Sequence, residues 1–317
     1  MLDDLISFQN SQSVHIHTGD CIDVLRTLPE NHFHTCVTSP PYFGLRDYGM
    51  ADQIGLEQTP DAFITKLVEV FREVRRVLRE DGTLWLNLGD SYCGSGYSNH
   101  TNTGGAQRSD GGKQRPGRTD FGIKAKDLLM IPPRVAIALQ TDGWWLRSAI
   151  VFQKPNPMPE SVRDRPTSSY EMVYLLAKSE TYYYDAKAIM EPATNRASGN
   201  THKRWGNDQS IIRAENVGQV ETMRGIPWRG APTRNARNVW TITPKAFKGA
   251  HFATMAPELA RRCILAGCPE GGQVLDPFGG AGTTGLVAGQ LNRRATLIEL
   301  NPDYAEIARS RLGDLYG

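Results

Sequence analysis

The chain has 317 residues, with 39% hydrophobic, 22% charged and 9% aromatic side chains and a formal net charge of +2. That length supports one large domain or two small ones around a sizeable core, and the composition excludes a wholly disordered or fibrous chain. No stretch approaches the ~18 consecutive apolar residues of a spanning helix. The acidic start Met1-Leu2-Asp3-Asp4 lacks a secretory h-region, and five scattered cysteines without a CxxC pair point to a reduced, cytoplasmic protein.

Residues 14–18 alternate apolar and polar and stop at Gly19-Asp20, as a short strand does at a turn. Residues 21–28 have helical spacing, and 35–38 form a second strand that Pro40-Pro41 closes. Residues 60–78 make an amphipathic helix with Phe63, Leu67, Val70, Phe71, Val74 and Leu78 on one face. Asp81-Gly82 is expected to stop it, with a strand over 83–88. A Gly/Ser/Asn-rich stretch, 92–122, has little capacity to form core. A helix over 127–139, strands over 144–153 and 171–177, and a strand-like segment 238–243 follow. The last third reads as helix 257–266, strand 273–275, helix 283–291, strand 295–300 and helix 302–312. Alternating strands and helices predict an α/β fold with a mainly parallel sheet.

Charge is segregated along the chain. Residues 1–91 hold 7 basic and 14 acidic side chains, whereas 92–126 hold 6 and 2, and 187–250 hold 11 and 4. Two irregular basic segments, the second interleaved with Trp205, Trp228 and His202, suit a polyanion such as nucleic acid. They also suit a solvated surface loop. His15-x-His17 and His32-x-His34 match no common structural zinc spacing, so no metal is expected.

Residues 274–285, Val-Leu-Asp-Pro-Phe-Gly-Gly-Ala-Gly-Thr-Thr-Gly, read as strand, glycine turn and helix start. Glycines allow positive φ and close approach of a ligand, and the helix start offers free N–H groups. Gly280 to Gly285 spells GxGxxG, and Glu299 ends the next strand, where an acid can bind ribose hydroxyls. An adenosine-containing cofactor is therefore expected. Asp276 precedes the glycines, where a carboxylate would repel a pyrophosphate but receive an amino group. A cofactor with a cationic centre and no phosphate, such as S-adenosylmethionine, fits better than a dinucleotide.

Thr38-Ser39-Pro40-Pro41-Tyr42 closes the second strand. Two prolines fix the backbone and remove two donors, so nearby carbonyls project outward. Ser39 adds a hydroxyl and Tyr42 a flat ring. Together they suit a planar amino group, although a bare Pro-Pro-Tyr is also a common rigid turn or partner-binding motif.

The Ser-Pro-Pro-Tyr strand end, with Phe278, Gly280 and Gly282 far downstream, resembles the beta-type, circularly permuted amino-methylating DNA methyltransferases. The resemblance implies a Rossmann-like, mainly parallel seven-stranded sheet flanked by helices, with an irregular inserted target-recognition region. Its expected parts are a catalytic-motif half (1–91), a basic loop (92–126), a core continuation (127–186), a target-recognition region (187–237) and a cofactor half (238–317). It implies catalytic roles for Ser39, Pro40, Pro41 and Tyr42. It implies S-adenosylmethionine contacts at Asp20, Thr38, Asp276, Phe278, Gly280, Gly282, Thr283, Glu299 and Thr254. In the segment 251–259 the chain departs from the family, with Phe252 and Ala256 at positions where prolines are commoner.

Expected DNA contacts are Lys203, Arg204, Arg224, Arg229, Arg234 and Arg237. Double-stranded DNA is the expected partner, with a homodimer and a cognate restriction enzyme as further options and no membrane. Amine hydrogen bonds to the Pro40 carbonyl and the Ser39 hydroxyl would favour a pyramidal nitrogen and direct methyl transfer. The target base must leave the duplex, at roughly a few kcal/mol. No cysteine follows a proline, which disfavours covalent cytosine-C5 chemistry. In the family, serine at the first tetrad position goes mostly with cytosine N4, so N4 is expected. Adenine N6 methylation on the same fold, a catalytically silent DNA-binding protein and an NAD-type oxidoreductase are the alternatives.

Overall fold

In the computed structural model, which describes residues 14–45, 49–50, 52–93, 123–157, 159–193, 233–243 and 255–316, the chain starts with β1 (Val14–Thr18), α1 (Cys21–Thr27) and β2 (Phe33–Thr38). Next come α2 (Pro60–Val77), β3 (Leu78–Leu88), α3 (Ile131–Thr141), β4 (Trp145–Gln153) and β5 (Tyr170–Ala177). A short pair, β6 (Glu191–Pro192) and β7 (Thr233–Arg234), precedes β8 (Val239–Thr241). The last third holds α4 (Pro257–Gly267), β9 (Gln273–Asp276), α5 (Thr283–Gln290), β10 (Arg294–Glu299) and α6 (Pro302–Tyr316).

The main sheet has eight strands in the order β1-β10-β9-β2-β3-β5-β4-β8, not the seven that the resemblance implies. Strands β1, β10, β9, β2 and β3 are mutually parallel, and β5 runs antiparallel between β3 and β4. The additional strand is β8, which pairs in parallel with β4 and covers an edge that would otherwise expose unpaired backbone groups. Its Trp240 is buried and stacks on Trp85 of β3 with ring centroids 6.1 Å apart.

Local chemistry explains the elements and the corrected boundaries. Thr59 caps α2 by accepting the Ala62 N–H at 3.1 Å, and Pro60 sits in the first turn, where its missing donor costs nothing. The apolar stripe of α2 is fully buried. That helix ends at Val77 and passes straight into β3. Asp81-Gly82 lies inside this strand, where the pairing with β2 shifts register, rather than ending the helix. The helix expected over 127–139 starts at Ile131 instead, because the Asp90 carboxylate caps the Ile131 N–H at 3.1 Å. Met130, just before it, is left-handed at φ 55.

Period-two alternation splits the sheet residues between two cores. Cys36, Leu84 and Leu176 face α1, α2 and α3. Val37, Trp85 and Leu175 face α4 and α5. The five cysteines are all buried, in agreement with a core role for Cys263 and Cys268. Among the described residues no helix is long and apolar enough to cross a membrane. The carboxyl ends of β2, β3, β9 and β10 share one edge of the sheet, and β4 and β5 bring Lys154 and Glu171 to that same edge.

Candidate active site

Two turns meet at this edge. The first leaves β9 at Asp276 and enters α5. Gly280 and Gly282 have φ of 50 and 78, the left-handed region that glycine occupies at little cost. A Cβ on Gly282 would lie 2.9 Å from the Ala308 Cβ of α6, so close packing excludes a side chain there. A Cβ on Gly280 would meet nothing nearer than 4.0 Å, so that face of the turn is open. The Glu299 carboxylate ends β10 and accepts the Gly280 and Asn301 N–H groups, each at 2.8 Å. Burial pushes its pKa up. Arg311 of α6 donates to the Ala281 carbonyl and reaches Thr283 Oγ1 at 3.4 Å, which fixes the turn from behind.

Asp276 is 3% exposed and joins three elements. Its Oδ1 accepts the Thr38 hydroxyl at 2.6 Å and the Phe278 N–H at 3.1 Å, and its Oδ2 accepts the Thr284 hydroxyl at 2.7 Å. Burial raises its pKa against these three donors. Thr38 is the last residue of β2, so this carboxylate links the glycine turn to the second turn across 238 positions of sequence. Asp20 is placed differently: it caps α1, accepting the Ile22 and Asp23 N–H groups at 2.9 and 3.1 Å.

The second turn carries Ser39, Pro40, Pro41 and Tyr42. Gly55, at φ 104, backs it so closely that a Cβ there would sit 3.2 Å from both the Pro41 Cβ and the Tyr42 carbonyl oxygen. The Ser39 hydroxyl donates to the Tyr42 hydroxyl at 3.3 Å, and the Tyr42 hydroxyl donates to Glu171 Oε2 at 2.7 Å. Asn87 Nδ2 donates to the Tyr42 hydroxyl and to Glu171 Oε2, both at 2.9 Å, and reaches Ser39 Oγ at 3.5 Å. The Lys154 ammonium holds Glu171 Oε1. Gly89 lies so close to the Tyr42 ring that a Cβ there would be 2.6 Å from Cε2.

Sequence reasoning missed Asn87, Gly89, Lys154, Glu171 and Arg311. A usable signal was present for two of them. Glu171 is the one charge within β5 and Lys154 follows directly on β4, so each marks the end of a mostly apolar strand.

The remaining expectations divide by position. Thr254, Lys203, Arg204, Arg224 and Arg229 lie outside the described residues, as do most of the two basic segments. Arg234 and Arg237 are described, and both engage Glu191, through their Nε atoms at 3.1 and 2.6 Å. Where the basic loop leaves and rejoins the core, Cys93 and Asp127 are joined by an N–H to carbonyl bond of 2.8 Å. His34 has a structural bond, its Nδ1 accepting the Gln273 N–H at 3.0 Å.

Comparison with known proteins places this geometry. A family profile described as DNA methylase matches residues 33–310. The chain is 46% identical over 296 residues to the type II methyltransferase M.XycI of Xanthomonas campestris pv. cyanopsidis, covering 93% of this chain and 86% of that one. It is 43% identical over 307 residues to the type II methyltransferase M.SmaI of Serratia marcescens, covering 96% and 92%. Among solved structures, the PvuII DNA methyltransferase, described as cytosine-N4-specific, superposes with a TM-score of 0.61 at 18% identity, covering 96% of this chain and 91% of that one. The extent of the family match and the identity to these relatives establish that the chain belongs to the N6/N4 DNA methylase family and is a DNA methyltransferase.

Proposed function

We propose that this protein transfers a methyl group from S-adenosylmethionine to the exocyclic N4 amine of a cytosine flipped out of duplex DNA. The observation that carries the reading is the 2.6 Å bond from Thr38 to Asp276, which sets the Ser39 turn directly against the glycine turn. An amine held at one is thereby brought next to a cofactor held at the other.

The donor set fits S-adenosylmethionine. A buried carboxylate, Asp276, and a half-buried one, Glu299, flank a turn whose open face lies over Gly280, a setting hostile to phosphates and favourable to a cation and to hydroxyl groups. When bound, the cofactor supplies an electrophilic methyl on sulfur. In this reading Glu299 binds the ribose hydroxyls with lone pairs left over from its two backbone bonds. Asp276 sets negative potential beneath the methionine amino group. Asp20, Thr38, Phe278, Gly280, Gly282, Thr283 and Thr254 complete the cofactor's surroundings.

On the substrate side, the Pro40 carbonyl and Ser39 Oγ accept the two amine hydrogens, which frees the nitrogen lone pair from the ring. Tyr42 stacks on the base and returns ~1–3 kcal/mol of the flipping cost. Serine rather than an acid at position 39 supports cytosine N4. The six basic residues 203, 204, 224, 229, 234 and 237 are assigned to DNA. The type II names of the relatives support a cognate restriction enzyme as partner. Nucleoside mass spectrometry of DNA from cells expressing the protein tests the reading. N4-methylcytosine is expected, and N6-methyladenine alone would overturn the base assignment.

A further inference from the structure

The hydrogen bonds around Ser39 run in one direction. A carboxylate only accepts, so the Tyr42 hydroxyl spends its single proton on Glu171 Oε2 at 2.7 Å. The Tyr42 oxygen is then an acceptor, and the Ser39 hydroxyl spends its proton there at 3.3 Å. Two other polar partners among the described residues keep this sense. Asn87 Nδ2 donates to the Tyr42 and Glu171 oxygens, and Lys154 donates to the second oxygen of Glu171. Glu171 is thus the acceptor at the end of a chain that starts at the proposed amine-binding hydroxyl. Its side chain is 15% exposed and that of Lys154 27% exposed, so the far end of the chain reaches solvent.

We propose that Glu171, anchored by Lys154, is the positioning residue of the reaction and the terminus of its proton path. Before transfer it draws the Tyr42 and Ser39 protons away from the substrate, so that Ser39 presents a lone pair to the amine. During transfer the N–CH3 bond forms with the amine lone pair. The S–CH3 bond breaks with its pair left on sulfur, which becomes a neutral thioether. One proton of the cationic amine then passes to Ser39 Oγ, the Ser39 proton passes to the Tyr42 oxygen, and the Tyr42 proton passes to Glu171. The products are a neutral methylated amine and a protonated Glu171, which returns its proton to water. The inference rests on the amine chemistry proposed for Ser39 but not on which base carries the amine.

The test uses the full chain and a duplex containing the methylated site, mapped beforehand by sequencing. Tyr42→Phe keeps the ring and removes the hydroxyl, and Glu171→Gln keeps the shape and removes the charge. Each should lower the single-turnover rate roughly 10- to 100-fold. S-adenosylmethionine affinity by calorimetry, the KM for DNA and the fluorescence of 2-aminopurine at the target position should each change by less than about threefold. Because both residues serve one chain, the double variant should be no slower than the slower single variant by more than about threefold. A full rate in Tyr42→Phe, or multiplicative losses in the double variant, would overturn the proposal. If either buried variant loses cofactor affinity, Lys154→Met at the solvent edge decides: a slower rate at unchanged affinity supports the chain, and an unchanged rate overturns it. A wild-type product of N6-methyladenine with the same variant pattern would refute the base assignment alone.

Discussion

Replacing Gly89 with alanine is expected to slow methyl transfer while leaving cofactor affinity as it is. The added Cβ would lie 2.6 Å from Tyr42 Cε2 and 2.8 Å from Cδ2. Relaxed carbon contacts are ~3.5–4.0 Å, so the ring must retreat by about 1 Å. It cannot move as a body, because its hydroxyl is tied to Glu171 at 2.7 Å and to Asn87 at 2.9 Å. The ring can then only pivot about its oxygen, which changes the face it offers to a stacked base. If it holds its position instead, overpacking costs ~1–3 kcal/mol of stability. If it tilts, a displacement of this size costs up to ~100-fold in rate. Single-turnover methylation, thermal melting and calorimetry with S-adenosylmethionine separate these outcomes. A control follows from the same geometry: in a Tyr42→Ala background the alanine at 89 should be nearly harmless to stability. Wild-type rate together with wild-type melting in Gly89→Ala would refute the idea that this contact fixes the ring.

Two further outcomes are expected. Burial holds the Glu299 carboxyl above its ordinary value of 4.5, so its favourable contribution to folding is full below the unfolded pKa and is lost as pH rises through the folded one. Urea midpoints should therefore show wild type gaining on Glu299→Gln as pH falls from 7 towards ~4.3, and a pH-independent difference would contradict this. Arg234 and Arg237 both engage the carboxylate of Glu191. Neutralising both should flatten the log–log salt dependence of DNA binding by up to ~2 units, and an unaltered slope would move the DNA surface elsewhere.

The parts of the site that were legible in the sequence are those written in consecutive residues. Glycines at 280 and 282 forecast a left-handed turn, and Glu299 was placed at the end of the next strand, because strand, turn and helix are local structures; its bond from the Gly280 N–H was not forecast. The alternation over 14–18 and the strand-like segments 171–177 and 238–243 likewise marked strands that exist. What escaped depends on pairing. Asn87 and Glu171 converge on Tyr42, and Lys154 on Glu171, only because β5 is inserted antiparallel between β3 and β4, an arrangement that no residue of those strands encodes alone. Gly89 was not singled out, since its requirement is the ring of Tyr42 in the turn after β2. Asp81-Gly82 misled for the opposite reason. Locally it is a strong turn signal, but α2 had already ended at Leu78, whose N–H still bonds the Val74 carbonyl. Asp20 was expected at the cofactor from the resemblance, and its role as the cap of α1 is an additional one that the sequence reading did not give.

The strand order carries a consequence for synthesis. Strand β2 lies between β3 and β9, and β1 reaches the rest of the sheet only through β10. A ribosome therefore delivers β1 and β2 long before the segments that belong between them. Until β9 emerges, β2 keeps the N–H and C=O groups of one edge without their strand partner, and Thr38 waits for the carboxylate of Asp276. Closing that seam spans most of the chain and is entropically slow, and unpaired strand edges invite association with other chains. The Thr38–Asp276 bond can form only after β9 has been made, so residues 38–42 are translated early and gain their partner on the glycine turn late.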